Sequence, residues 1–170
     1  MRRAFILLFL IVSCKPAPVQ EIEAVESVDY AAMNLQQTKM NLTDNAQKIA
    51  LEWTAIQDLF TALENYDHSI AATIKLLDHV DVMLEDTPQA FQGQSIISRI
   101  KVLKTRIHIY QSYLGYRIKT NKNLENKYNA IIKALDDLIL QMNLKVNEDD
   151  GINKKLLEDL KADLDPEVQE

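Results

Sequence analysis

Thr87-Pro88-Gln89-Ala90-Phe91-Gln92-Gly93-Gln94 separates two long apolar patterns in this 170-residue chain, and reading it as a turn decides the fold. Pro88 disfavours helical geometry at Thr87, Gly93 loosens the backbone, and Ser95 is placed to cap a new helix. Before the turn, apolar residues recur every seven positions: Val28, Leu35, Leu42, Ile49, Ile56, Leu63, Ile70, Leu77 and Leu84. This spacing predicts one helical stripe running to about Asp86. Its companion position drifts among Leu59, Phe60, Tyr66, Ile74 and Val80, with Trp53 nearby, which suits a bundle helix better than a strict coiled-coil seam. Thr43-Asp44 offers an alternative helix start that would make Ser27 to Asn41 a separate element.

After the turn the pattern resumes as Ile96, Ile100, Leu103, Ile107, Tyr110 and Leu114. It continues as Leu124, Tyr128, Ile131, Leu135, Leu138 and Met142. Two helices of roughly 50 to 60 residues, each about 80 Å long if straight, would pair antiparallel and bring Leu42 beside Met142. Asn147-Glu148-Asp149-Asp150-Gly151 reads as a helix stop, and Ile152, Leu156, Leu157, Leu160 and Leu164 as a short third helix before Pro166. The expected class is all-α: a long antiparallel helical hairpin or an elongated three-helix bundle with a short C-terminal helix. A second apolar line, Ile132, Ile139 and Val146, and the added width of Trp53, Ile74 and Val82 call for further cover. That cover would come from the third helix, the Val28 to Leu42 segment or a second copy, so a kinked compact bundle and a homo-oligomer are both open.

Charge divides along the same line. Asp44 to Asp86 holds nine acids and two lysines, net −7, whereas Arg99 to Lys133 holds nine basic residues and only Glu125, net +8. Folding the halves together places opposite fields side by side, which favours orientation more than stability. Arg99, Lys101, Lys104, Arg106, Lys119 and Lys122, with Tyr113 and Tyr116, form the candidate partner-binding set, suited to a protein or an anionic polysaccharide. Tyr110 is expected in the core and Tyr113 and Tyr116 outside it. The apolar pattern lapses at Arg117 and Asn121, where a polar layer of Arg117 with Glu64 or Asp67, and of Asn121 beside Thr61, would fix register; alternatively Arg117 faces water and Ile118 turns inward.

Motifs for chemistry fail one by one. His68 and His79, eleven residues apart, would stand about 16 Å apart on a straight helix, too far to share a metal. Asp78, Asp81 and Glu85, with the His79 imidazole, form a local acidic cluster that reads as solvated acids near a helix end rather than a cation site. Neither Glu-x-x-His pairs nor His-Glu-x-x-His occur. A calcium loop centred on Gly151 would put Val146 and Leu157 where oxygen ligands are required. The three glycines lie in no phosphate-binding pattern, and no Gly-x-Ser-x-Gly elbow is present. Neither catalysis nor a cofactor is expected.

The chain begins Met1-Arg2-Arg3, continues as an apolar run from Ala4 to Val12, and reaches its single cysteine in Ile11-Val12-Ser13-Cys14. This resembles a bacterial lipoprotein export signal with its lipobox. The run is too short to span a bilayer but ordinary for an export signal. The resemblance implies removal of residues 1–13, acylation of Cys14, and a tether over 14–26, where Pro16, Pro18 and three glutamates leave little to pack. The helical domain would cover 27–170. Lys15 stands where enterobacterial lipoproteins kept at the inner membrane carry aspartate, so the resemblance implies the outer membrane or cell surface. Loss of Arg2 and Arg3 would take the net charge from −6 to −8, which argues against a nucleic-acid partner. The expected function is a lipid-anchored envelope or surface protein that binds a macromolecular partner. Alternatives are a structural or assembly subunit of an envelope complex and a bundle carrier for an apolar ligand.

Overall fold

Helices form where the apolar pattern runs unopposed and stop where short polar side chains compete for the backbone. The computed structural model describes residues 28–149. Among them are five α-helices: α1 (Asp44–Leu51), α2 (Thr54–Glu64), α3 (Ile70–Glu85), α4 (Gln94–Leu114) and α5 (Asn121–Asp149). Single 3₁₀ turns occupy Tyr30–Ala32 and Gln89–Phe91. The expected third helix at Ile152 to Leu164 lies outside the described residues, as do the export signal, Cys14 and the tether.

The expected long hairpin is replaced by a compact bundle of shorter helices. The first long helix divides in three. At Glu52-Trp53 the chain leaves helical geometry and the indole enters the core. At 65–69, the Asn65 side chain donates to the Thr61 carbonyl, Asp67 accepts the Ser69 amide, and Ser69 caps α3 by accepting the Ala72 amide. His68 sits there at φ 60°, in the left-handed region. Val28, Leu35 and Leu42 are not on a helix at all; α1 starts after Thr43, at the alternative boundary. The second long helix breaks at 115–120. Lys119 Nζ donates to the Leu114 and Tyr116 carbonyls there, and Thr120 Oγ1 accepts the Asn123 amide.

The turn at Thr87–Gly93 does join two packed helices, α3 and α4. Helix α4 begins at Gln94 with Gly93 at its cap, so Ser95, expected as the cap, already lies inside the helix. Each helix packs on the next in chain order, and α1 also packs on α5, so the five close into a ring. Phe91, carried into the centre by the turn, is wholly buried, and its ring lies 5.8 Å from that of Trp53. Every apolar position expected after the turn, from Ile96 to Met142, is buried, as is the second line Ile132, Ile139 and Val146. Before the turn, Ile56 and Leu77 are buried but Ile70, Ile74 and Val82 are exposed.

Residues 34–43 are a non-helical strap running beside α5 in the same direction. Polar side chains of α5 hold its backbone. Asn129 accepts the Gln36 amide and donates to the Asn34 carbonyl; Glu125 accepts the Asn34 amide. Asp136 accepts the Lys39 and Met40 amides, and Asn143 accepts from Thr43 and donates to Asn41. Asn121 receives the Asp29 amide just upstream. These residues share one face of α5 through steps of four and seven. The strap, with Leu35, Met40 and Leu42 packed on the core, provides cover that the second apolar line on α5 required.

Candidate functional site

Helices α4 and α5 meet at a corner where a surface groove of about 490 Å³ is lined by Thr105, His108, Ile109, Ser112, Tyr113, Tyr116 and Lys127. Residues 105, 108, 109 and 112 come from one face of α4, at steps of three and four. Helix α5 returns Lys127 to the same level, with its Nζ 4.7 Å from the centre of the Tyr113 ring. Tyr116 meets Tyr113 edge to face at 5.3 Å. Tyr113 is buried rather than outside as expected: Tyr116 and Lys127 lie against its ring, and its hydroxyl accepts the Thr120 amide at 3.2 Å. Burial pushes the Tyr113 phenol up, but the Thr120 amide and hydroxyl, Asn123 and the Lys127 charge outweigh it and leave the group below its ordinary value. Tyr116 is 58% exposed and offers its ring to solvent.

Of the basic residues singled out in the sequence, Arg99, Lys101, Arg106 and Lys122 are exposed. None of them lines the groove itself. Lys104 pairs with Asp81 across α3 and α4, where the acidic and basic halves meet. Lys119 is committed to the end of α4. Lys127, counted in the basic stretch but not singled out, is the cation that the fold brings to the tyrosines.

The polar layer does not assemble. Arg117 is exposed in the α4–α5 connection, and Ile118 is 61% exposed rather than turned inward. Asn121 binds Asp29, the Thr61 hydroxyl donates to Gln57 of its own helix, Asp67 serves Ser69, and Glu64 stands exposed at the end of α2. The hairpin register behind the expected layer disappears with the breaks at 65–69 and 115–120.

Two further features adjoin one another. His68 stacks on Tyr30 at 4.7 Å, meets Tyr66 and Tyr128 edge to face, and shares a hydrogen bond of 2.9 Å with the Tyr110 hydroxyl. Burial lowers its pKa and Asp67 partly offsets that. Burial likewise pushes the Tyr66, Tyr110 and Tyr128 phenols up. Tyr110 is fully buried, as its place in the pattern predicts. Tyr128 also reaches a cleft of about 750 Å³ enclosed by the strap, α1, α2 and α5. Its floor is Tyr128, Ile132, Leu135 and Ile139 of α5.

Among the described residues, no group of three or more histidine, cysteine, aspartate or glutamate side chains is placed to hold a metal ion. No described helix is long and apolar enough to cross a membrane. No family model, curated protein or solved structure matches the chain. The fold and groove thus define a small all-α bundle with a basic, tyrosine-lined corner.

Proposed function

We propose that this chain is a lipid-anchored bacterial envelope protein whose helical domain binds an anionic polysaccharide at the α4–α5 corner. Anchoring rests on the likeness of Met1 to Cys14 to a lipoprotein signal, and Lys15 favours the outer membrane or cell surface. The observation that carries binding is the exposed Tyr116 ring beside Tyr113 and Lys127. An aromatic face packs against the apolar face of a sugar ring, Lys127 supplies charge, and the hydroxyls of Thr105 and Ser112 can exchange hydrogen bonds with the ligand. Exposed Arg99, Lys101, Arg106 and Lys122 add a diffuse attractive field. Heparin-column retention across a salt series tests this reading. Retention should fall as salt rises, and Tyr116→Ala and Lys127→Ala should each elute earlier. Failure of the wild-type chain to bind at low ionic strength overturns it. For the anchor, Cys14→Ser should abolish labelling by a palmitate analogue in the bacterial host.

A second reading, an assembly subunit, is favoured by a different observation. Val102 and Ile109, seven residues apart on α4, are 40% and 43% exposed, and Tyr116 and Ile118 in the connection that follows are exposed as well. Protein partners or a second copy would cover such residues. Light scattering that shows a stable oligomer, lost in Ile109→Glu, would support this alternative.

A further inference from the structure

The cleft beneath the strap is a second site, separate from the α4–α5 corner, and its walls differ in kind. One wall is the strap: Gln37, Thr38, Met40, Asn41 and Leu42 line it. The amides bonded to α5 belong to residues 34, 36, 39, 40 and 43. Among the described residues, the backbone groups of Gln37, Thr38 and Leu42 have no hydrogen-bond partner within the chain. The opposite wall, Leu51, Phe60 and Leu63 of α1 and α2, is apolar, and Leu51 at the mouth is 63% exposed. The remaining rim carries the neutral amides Gln47 and Gln57, and Glu64 is the single charged group in the lining.

We propose that this cleft binds an extended peptide segment of about five residues, apolar in side chain and free of acidic groups, by adding it alongside the strap. From Gln37 to Leu42 an extended backbone covers about 17 Å at 3.3 Å per residue, and from Tyr128 to Ile139 the α5 floor covers about the same length at 1.5 Å per residue. The two walls therefore match a ligand of one length. Unpaired strap amides and carbonyls supply main-chain hydrogen bonds, as in recognition by strand addition, and the apolar wall takes alternate side chains. With no cation in the lining, Glu64 repels an acidic residue and favours a lysine or a free amino terminus.

Fluorescence polarisation tests this with the full chain and a fluorescein-labelled, C-terminally amidated pentapeptide of lysine, valine and leucine. The peptide should bind saturably, and a version with glutamate for lysine should bind at least several-fold more weakly. Thr38→Pro removes an amide that has no internal partner, and should weaken binding about tenfold, as expected for one lost hydrogen bond. Leu51→Glu alters only the exposed mouth and should weaken it similarly. Unchanged melting curves by circular dichroism keep both variants interpretable. No saturable binding, wild-type affinity in both Thr38→Pro and Leu51→Glu, or equal affinity for the glutamate peptide overturns the proposal. So does displacement of a neutral fluorophore by a twelve-carbon amide with no sensitivity to Thr38→Pro, which would make the cleft an acyl-chain site.

Discussion

Two side chains show how single residues set this fold's tolerances. Trp53 is 2% exposed, and its Nε1 is buried with no hydrogen-bond partner, so its ring supplies burial while its N–H is a cost. Trp53→Phe should therefore change stability by less than about 1 kcal/mol, whereas Trp53→Ala should lose about 3–5 kcal/mol in urea unfolding. His68 carries the opposite lesson. Burial lowers its pKa below the ordinary 6.5, so between those two values the unfolded chain binds more protons than the native one. Stability from this group is then complete above about pH 6.5, falls as pH drops toward the folded value, and levels below it. His68→Asn tolerates the left-handed backbone and removes the titration. Its melting temperature should fall less than the wild type's between about pH 7.5 and pH 5.

At the level of elements, the strap and α5 were the least legible pair. The seven-residue spacing of Val28, Leu35 and Leu42 marked inward-facing residues correctly, yet periodicity cannot show whether a helix or an extended strap delivers them. The missed signal was polar. Asn121, Glu125, Asn129, Asp136 and Asn143 lie on one face of α5; Asn121 alone had been singled out, for a polar layer, whereas each holds backbone of the strap or of Asp29 upstream of it. Asn-x-Asp-x-Ser at 65–69 was a turn signature overridden in reading by the apolar stripe. The α4 and α5 cores were legible because their patterns met no such competition. Leu42 does come level with Met142, since Thr43 and Asn41 both bond to Asn143, but the strap brings it there rather than a paired helix. Asn143 is 7% exposed and makes two bonds to the strap, so Asn143→Ala takes the partner from the part-buried Thr43 amide and Asn41 carbonyl. It should cost about 1–3 kcal/mol and speed amide exchange at Thr43 more than at Gln36.

The molecule as a whole closes on itself through α1 and α5, around a centre that Phe91 fills. Removing that ring opens a void beside Trp53, where its turn packs on α5, so Phe91→Ala should lose about 3–5 kcal/mol. Far-ultraviolet and near-ultraviolet dichroism should still report coincident transitions, since no helix has a core of its own. The candidate corner was half legible: Tyr113 and Tyr116 were visible as aromatics among basic residues, but Lys127 joins them only because the chain reverses at 115–120. Charge contrast between the halves was legible too, and Lys104 with Asp81 is where it becomes a contact.

The strap also gives the domain a mechanical grain. Tension applied to the chain at Val28 reaches the Asn121 rung first, then Glu125 and Asn129, then Asp136, and last Asn143. Peeled in that order, the rungs rupture one after another rather than sharing load, and the freed stretch lengthens by tens of ångströms before force reaches α1. Optical-tweezer pulling should record this as a low-force extension preceding the main unfolding event.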